Sequence, residues 1–101
     1  MIVIHATVPV DPDSREEAIE EARSVAEESR KEDGVIEYHA AVDAEDESLL
    51  RFFERYEDEA AFADHASSEH FGEFASKLPG MLDGEPELTR FEVTDASEVE
   101  L

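Results

Sequence analysis

Glu54, Tyr56, His65 and His70 lie within one short stretch, and all four are residue types that hold or move protons. Glu54 and Tyr56 alternate with Phe52 along an apolar run, so an extended strand turns all three to one side. A carboxylate on an apolar side is buried, and a buried carboxylate must be paired or keep its proton. His65 follows Ala60, Ala61 and Phe62 on a short helical pattern, and His70 stands just after Ser68, a helix-capping residue type. A carboxylate, a phenol and two imidazoles among apolar walls are the parts of a small-molecule site doing general acid–base work. Tyr38, Phe52, Phe62, Phe71, Phe74 and Met81 are the residues expected to form those walls.

Each of these side chains also has a purely structural use. His65 at a helix end can bond a carbonyl or carboxylate, favoured there by the helix dipole. His70 can make a bond within the first turn of its helix. Glu54 can serve Tyr38 or a helix N-terminus, and large residues on an inner face are commonly core. Glu54, His65 and His70 form a two-histidine, one-carboxylate set by type. A helix break separates the two histidines, however, so no metal is expected. The Asp43–Glu47 run lacks the glycine and spacing of a calcium loop, and there is no phosphate-binding glycine loop or serine elbow.

The elements that must carry these residues follow from periodicity. Met1–Val10 is an apolar, β-branched strand closed by Pro9 and the Asp11-Pro12-Asp13 turn. Asp13 or Ser14 caps a helix whose buried stripe is Ala18, Ile19, Ala22, Val25, Ala26 and Ser29, and Gly34 is expected to end it. Val35–Ala44 reads as a second strand with Ile36, Tyr38, Ala40 and Val42 on one face. Leu49–Glu57 returns as a third strand. Asp58 caps a short helix, Ser67 or Ser68 starts another, and Pro79-Gly80 stops it. Glu87–Thr94 is the last strand. The expected domain is 1–94, with an acidic tail at 95–101.

The order β-α-β-β-α-β predicts an α+β, ferredoxin-like antiparallel sheet with helices on one face. The third strand is apolar at both parities, as Leu49 and Leu50 and then Phe52 and Phe53 show. One subunit's helices cover only one face, so a homodimer packed through the open sheet face is expected, with His5 and His39 on that face or the surface.

Composition narrows the function. The chain has 29 acidic and 8 basic residues in 101, a formal net charge of −21, yet 41% of it is hydrophobic. Acidic disordered segments lack such apolar periodicity, so the chain is expected to fold. A folded domain with this acidic skin and only two lysines, Lys31 and Lys77, resembles proteins of salt-accumulating halophiles, where dense salt screens self-repulsion. The charge argues against nucleic acid and anionic membranes as partners. Cysteine is absent, which removes disulfides, thiolate metal sites and a cysteine nucleophile. No window reads as a membrane span or signal peptide, so a cytoplasmic location is expected.

The ordered set Glu32-x-Gly34-x-x-x-Tyr38, Phe52-x-Glu54-x-Tyr56, Ala61-x-x-x-His65 and Ser68-x-His70-Phe71 resembles the antibiotic biosynthesis monooxygenase family, most closely its small quinol-monooxygenase-like members. The resemblance spans nearly the whole chain and implies a dimeric α+β barrel. It further implies oxidation of a small quinol-like or phenolic aromatic by O2 without cofactor, with His65, His70, Glu54 and Tyr56 as the catalytic candidates. The family also holds haem-degrading enzymes, isomerase-like enzymes on small phosphosugars and proteins without established substrate. This chain has no Asn and no Trp, which the haem-degrading members use, and it carries Tyr56 where many relatives have Trp. A phosphosugar would need cations, for which Arg51, Arg55 and Arg90 are at hand. A non-catalytic small-molecule-binding or stress module is the remaining reading.

Overall fold

The computed structural model describes all residues, 1–101. Strand β1 (Ile2–Pro9) leads through a 3-10 turn (Pro12–Ser14) into helix α1 (Arg15–Ser29). Strands β2 (Val35–Val42) and β3 (Leu49–Tyr56) form a hairpin. Helices α2 (Glu59–Ala66) and α3 (Glu69–Lys77) follow, then a 3-10 turn (Leu78–Met81) and strand β4 (Glu87–Glu92). This is the expected element order. Residues beyond β4 form no helix or strand.

All four strands pair antiparallel in the order β2-β3-β1-β4, the ferredoxin-like α+β arrangement. The central strand β1 alternates strictly, with Ile2, Ile4, Ala6 and Val8 buried under the helices. The main core joins Ala6 and Val8 to Leu50 and Phe52 of β3, Tyr38 of β2, and Ala18, Ala22, Val25 and Ala26 of α1, while Ile2 and Ile4 pack with Tyr56 and Ala61. Alanine at three of those four α1 positions keeps the helix close to the sheet. Covering the other sheet face is left to solvent in this single chain: Phe53 and Phe91 are exposed there, beside His5 and His39.

Two local expectations are corrected. Ile36 does not join the inner face. A register shift between Val35 and Glu37 places Val35 opposite Tyr56 and leaves Ile36 exposed, as an extra residue in one strand of a pair does. Gly34 does not end α1, which stops at Ser29 and hands over to Arg30. Its role is steric: a Cβ at position 34 would stand 2.3 Å from the Ala61 Cβ. The missing side chain lets α2 press on the loop before β2.

Candidate active site

Under α3, a cavity of about 210 Å³ opens between helix and sheet. Ala6 and Val8 of β1 form its floor with Phe52 of β3, Phe71 and Phe74 of α3 its roof, and Pro86 and Leu88 its rim. Only Tyr38 and Glu54 bring polar groups to it. The two are direct cross-strand partners in the β2–β3 register, which turns both side chains to the same face.

Glu54 is 7% exposed, and Tyr56 Oη donates to its Oε1 at 2.6 Å. No cation lies on it. Burial therefore raises its pKa from 4.5 to about 7, against the lowering effect of hydrogen bonding from Tyr56 and Tyr38. Both phenols are pushed well above their ordinary value, by burial first and by the Glu54 charge second. They remain protonated donors across the working pH range. Tyr38, Glu54 and Tyr56 thus form one titrating carboxyl bonded by the Tyr56 hydroxyl, with the Tyr38 phenol beside it.

The histidines gather around a different acid. Asp58 caps α2 by accepting from Ala61 N at 2.8 Å, and Ser68 caps α3 by accepting from Phe71 N at 3.3 Å. The Ser68 hydroxyl also donates to His65 O at 2.7 Å, fixing the turn between the two helices. Held this way, His65 Nδ1 and His70 Nε2 both donate to Oε2 of Glu32, at 2.8 and 2.7 Å. Glu32 sits in the turn after α1, its amide bonded to Ser29 O. His65 is buried against the rings of Tyr38, Tyr56 and Phe71, with centroids 5.0–5.4 Å away, and its Nε2 has no partner.

The predicted residues therefore divide. Glu54, Tyr38, Phe52, Phe71 and Phe74 line the cavity. Tyr56, His65 and His70 stand behind that wall. Phe62 and Met81 lie elsewhere: Phe62 packs edge-on against Tyr56 beneath Arg90, and Met81 is buried in the core beyond α3. Both are apolar residues next to the right elements but turned by their helical positions to other neighbours. The carboxylate paired with the histidines is Glu32, not Glu54, which is engaged by Tyr56 two residues along the same strand. Glu32, His65 and His70 are the residues that could close on a divalent ion, their ligand atoms lying within 4.8 Å of one another. Sequence reasoning missed Glu32 as a site residue, although it opens the Glu32-x-Gly34-x-x-x-Tyr38 set.

The sequence model of the family described as antibiotic biosynthesis monooxygenase matches residues 1–77, a span that contains both carboxylates, both histidines and most of the cavity. The chain belongs to this family. Among its relatives is the Bacillus subtilis protein named "Putative monooxygenase YcnE", 33% identical over 95 residues, which cover 94% of this chain and all of that one. A conserved protein of Methanosarcina mazei has a solved structure 31% identical to this chain, with a TM-score of 0.84 over 89% of each. The crystal structure of an antibiotic biosynthesis monooxygenase superposes with a TM-score of 0.87 over 94% of this chain and all of its own, at 21% identity, a likeness of fold.

Proposed function

We propose that this family member is a cofactor-independent monooxygenase that oxidises a small quinol-like or phenolic aromatic with O2. The observation that carries the reading is the cavity: apolar on every side, with one carboxyl near neutral pKa and one phenol donor facing in. An engineered cavity of about 150 Å³ holds benzene, so about 210 Å³ suits a substituted single ring.

Glu54 takes the proton from the substrate hydroxyl. A phenol near pKa ~10 is still about 3 units less acidic than Glu54, and Tyr38 offsets part of that gap by donating to the developing oxyanion. The resulting phenolate is electron-rich enough to reduce O2. A quinol supplies all four electrons that O2 needs: one oxygen atom enters the ring, the other leaves as water, and the product is a hydroxyquinone. No external reductant enters this balance. Tyr56 holds the Glu54 carboxylate in place, while His65 and His70, tied by Glu32, brace the wall behind Tyr38 and Phe71.

Covering Phe53 and Phe91 calls for a second copy packed sheet to sheet, so the working unit is a homodimer. The phosphosugar reading draws no support from the cavity. Arg51, Arg55 and Arg90 are bound to Asp43, Glu37 and Glu59, and none lines it.

The test is O2 uptake by metal-free protein in multimolar KCl with a panel of reduced single-ring quinols, against Glu54→Gln. Uptake well above autoxidation, lost in the folded variant, supports the oxygenase. Saturable quinol binding without uptake, unchanged by the substitution, identifies a binding module instead.

A further inference from the structure

A second depression lies on the far side of α1, where the helix meets the outer edge of β2, with a volume of about 270 Å³. Ile19, Ala22 and Ala26 of α1 form one wall, and Ala40 and Val42 of β2 the other. Arg23 and Arg30 stand over it.

Its charge sets it apart. Three other surface grooves are each lined by at least four carboxylates, for instance Glu21, Glu28, Glu69 and Glu73 beside His70. This groove is lined by none. Of the eight basic side chains, six sit on a carboxylate: Arg15, Lys31, Arg51, Arg55, Lys77 and Arg90. The two without such a partner are Arg23 and Arg30, and both line this groove. In a chain of net charge −21, guanidiniums without an ion pair are scarce, and both stand over this one apolar trough, Arg23 at its border with the acidic groove of Glu16, Glu17, Glu20 and Glu21.

Backbone geometry adds a donor. Arg30 Nη1 donates to Tyr38 O at 2.8 Å, so the Tyr38 peptide faces outward from the sheet edge. Alternation along an antiparallel strand turns the Ala40 amide outward as well, into the groove. Arg30 follows the last residue of α1, seven positions after Arg23 and about 10.5 Å further along the axis, so the two mark the ends of the groove.

We infer that this groove binds a small amphipathic carboxylate, its apolar body against Ile19, Ala22 and Val42 and its anionic end on the Arg23 guanidinium, which has no partner of its own. Guanidinium geometry matches a carboxylate through paired N–H donors. The groove is separate from the Glu54 cavity, and the inference does not rest on the oxygenase reading.

Phenylacetate titrated into ¹⁵N-labelled protein at 0.5 M KCl is the test, with neutral phenylacetamide and inorganic sulfate as comparison probes. Saturable shifts of the Ala22, Ala26, Ala40 and Val42 amides are expected with phenylacetate and not with phenylacetamide. Arg23→Gln should weaken binding by about fivefold or more, as loss of a charge-assisted hydrogen bond implies, and Arg30→Gln by less. Arg23 makes no hydrogen bond or ion pair, so Arg23→Gln decides alone if Arg30→Gln disturbs the fold. Shifts confined to Phe71, Phe74 and Leu88, equal binding of the amide, equal displacement by sulfate, or wild-type affinity in folded Arg23→Gln would each overturn the inference.

Discussion

Glu32 and Glu54 are both drawn largely out of solvent, yet their surroundings differ in every other respect. Glu54 stands on a strand, faces a cavity and accepts from a phenol that carries no charge. Glu32 stands in a turn, faces no part of that cavity and accepts from two imidazoles contributed by two helices. A carboxylate without a cation is held near its titration point by burial, which suits it to exchange a proton with a guest. A carboxylate bridging two helices instead joins parts of the chain that are distant in sequence. On the proposed reading the same residue type serves chemistry in one place and assembly in the other, and the partner decides which.

Activity should separate the two most sharply. Glu54→Gln is expected to lower kcat/KM for quinol oxidation by about 100-fold or more, the scale of a lost general base, while Glu32→Gln stays within about tenfold of wild type. Equal losses in O2-uptake assays would erase the distinction.

Stability should reverse the ranking. Glu32→Ala removes two hydrogen bonds and strands a buried imidazole, so urea unfolding should show a loss of about 2–4 kcal/mol. Glu54 behaves oppositely with pH. Its folded pKa of about 7 lies above the ordinary 4.5, so the folded state binds the extra proton. The corresponding stability is fully present below about pH 4.5 and is lost as pH rises through about 7, an effect of about 3 kcal/mol. Glu54→Gln should flatten that part of the pH–stability curve and be more stable than wild type at pH 8.

Two smaller effects refine the picture of the Glu54 side. Tyr56→Phe deletes a hydrogen bond that lowers the Glu54 pKa, so the rising limb of the pH–rate profile, near pH 7 in the wild type, should move to higher pH. An unmoved limb would assign that limb to another group. Leu88→Ala trims the cavity rim at an exposed position and should raise KM a few-fold with little change in kcat.

The fold was legible because each element carries its own period: strict alternation in β1, a stripe of small residues in α1, and caps at Asp58 and Ser68. The cavity was legible in part, since strand parity alone places Phe52, Glu54 and Tyr56 on one side. What parity does not encode is how far along that side each residue stands. Tyr56 falls past the cavity, under Phe62, while Tyr38 falls inside it. Glu32 escaped notice for a different reason. Its partners are 33 and 38 residues away, so the Glu32-x-Gly34-x-x-x-Tyr38 set contains it without showing what it meets. Gly34 reads as a helix stop by type, and only the approach of Ala61 reveals its steric role.

The central position of β1 has a consequence for how the molecule comes into being. The first strand to be synthesised must wait for both of its neighbours. Its register with β3 joins Ile2 to Tyr56, and its register with β4 joins Ile2 to Glu92. At about 5–20 residues per second on the ribosome, β1 stays unpaired for seconds, and contacts of such long sequence separation slow folding further. The cavity inherits this order: Ala6 belongs to the earliest segment and its sheet partner Leu88 to the latest. A nascent chain therefore owns the floor of the cavity long before the rim, and the cavity closes only with β4.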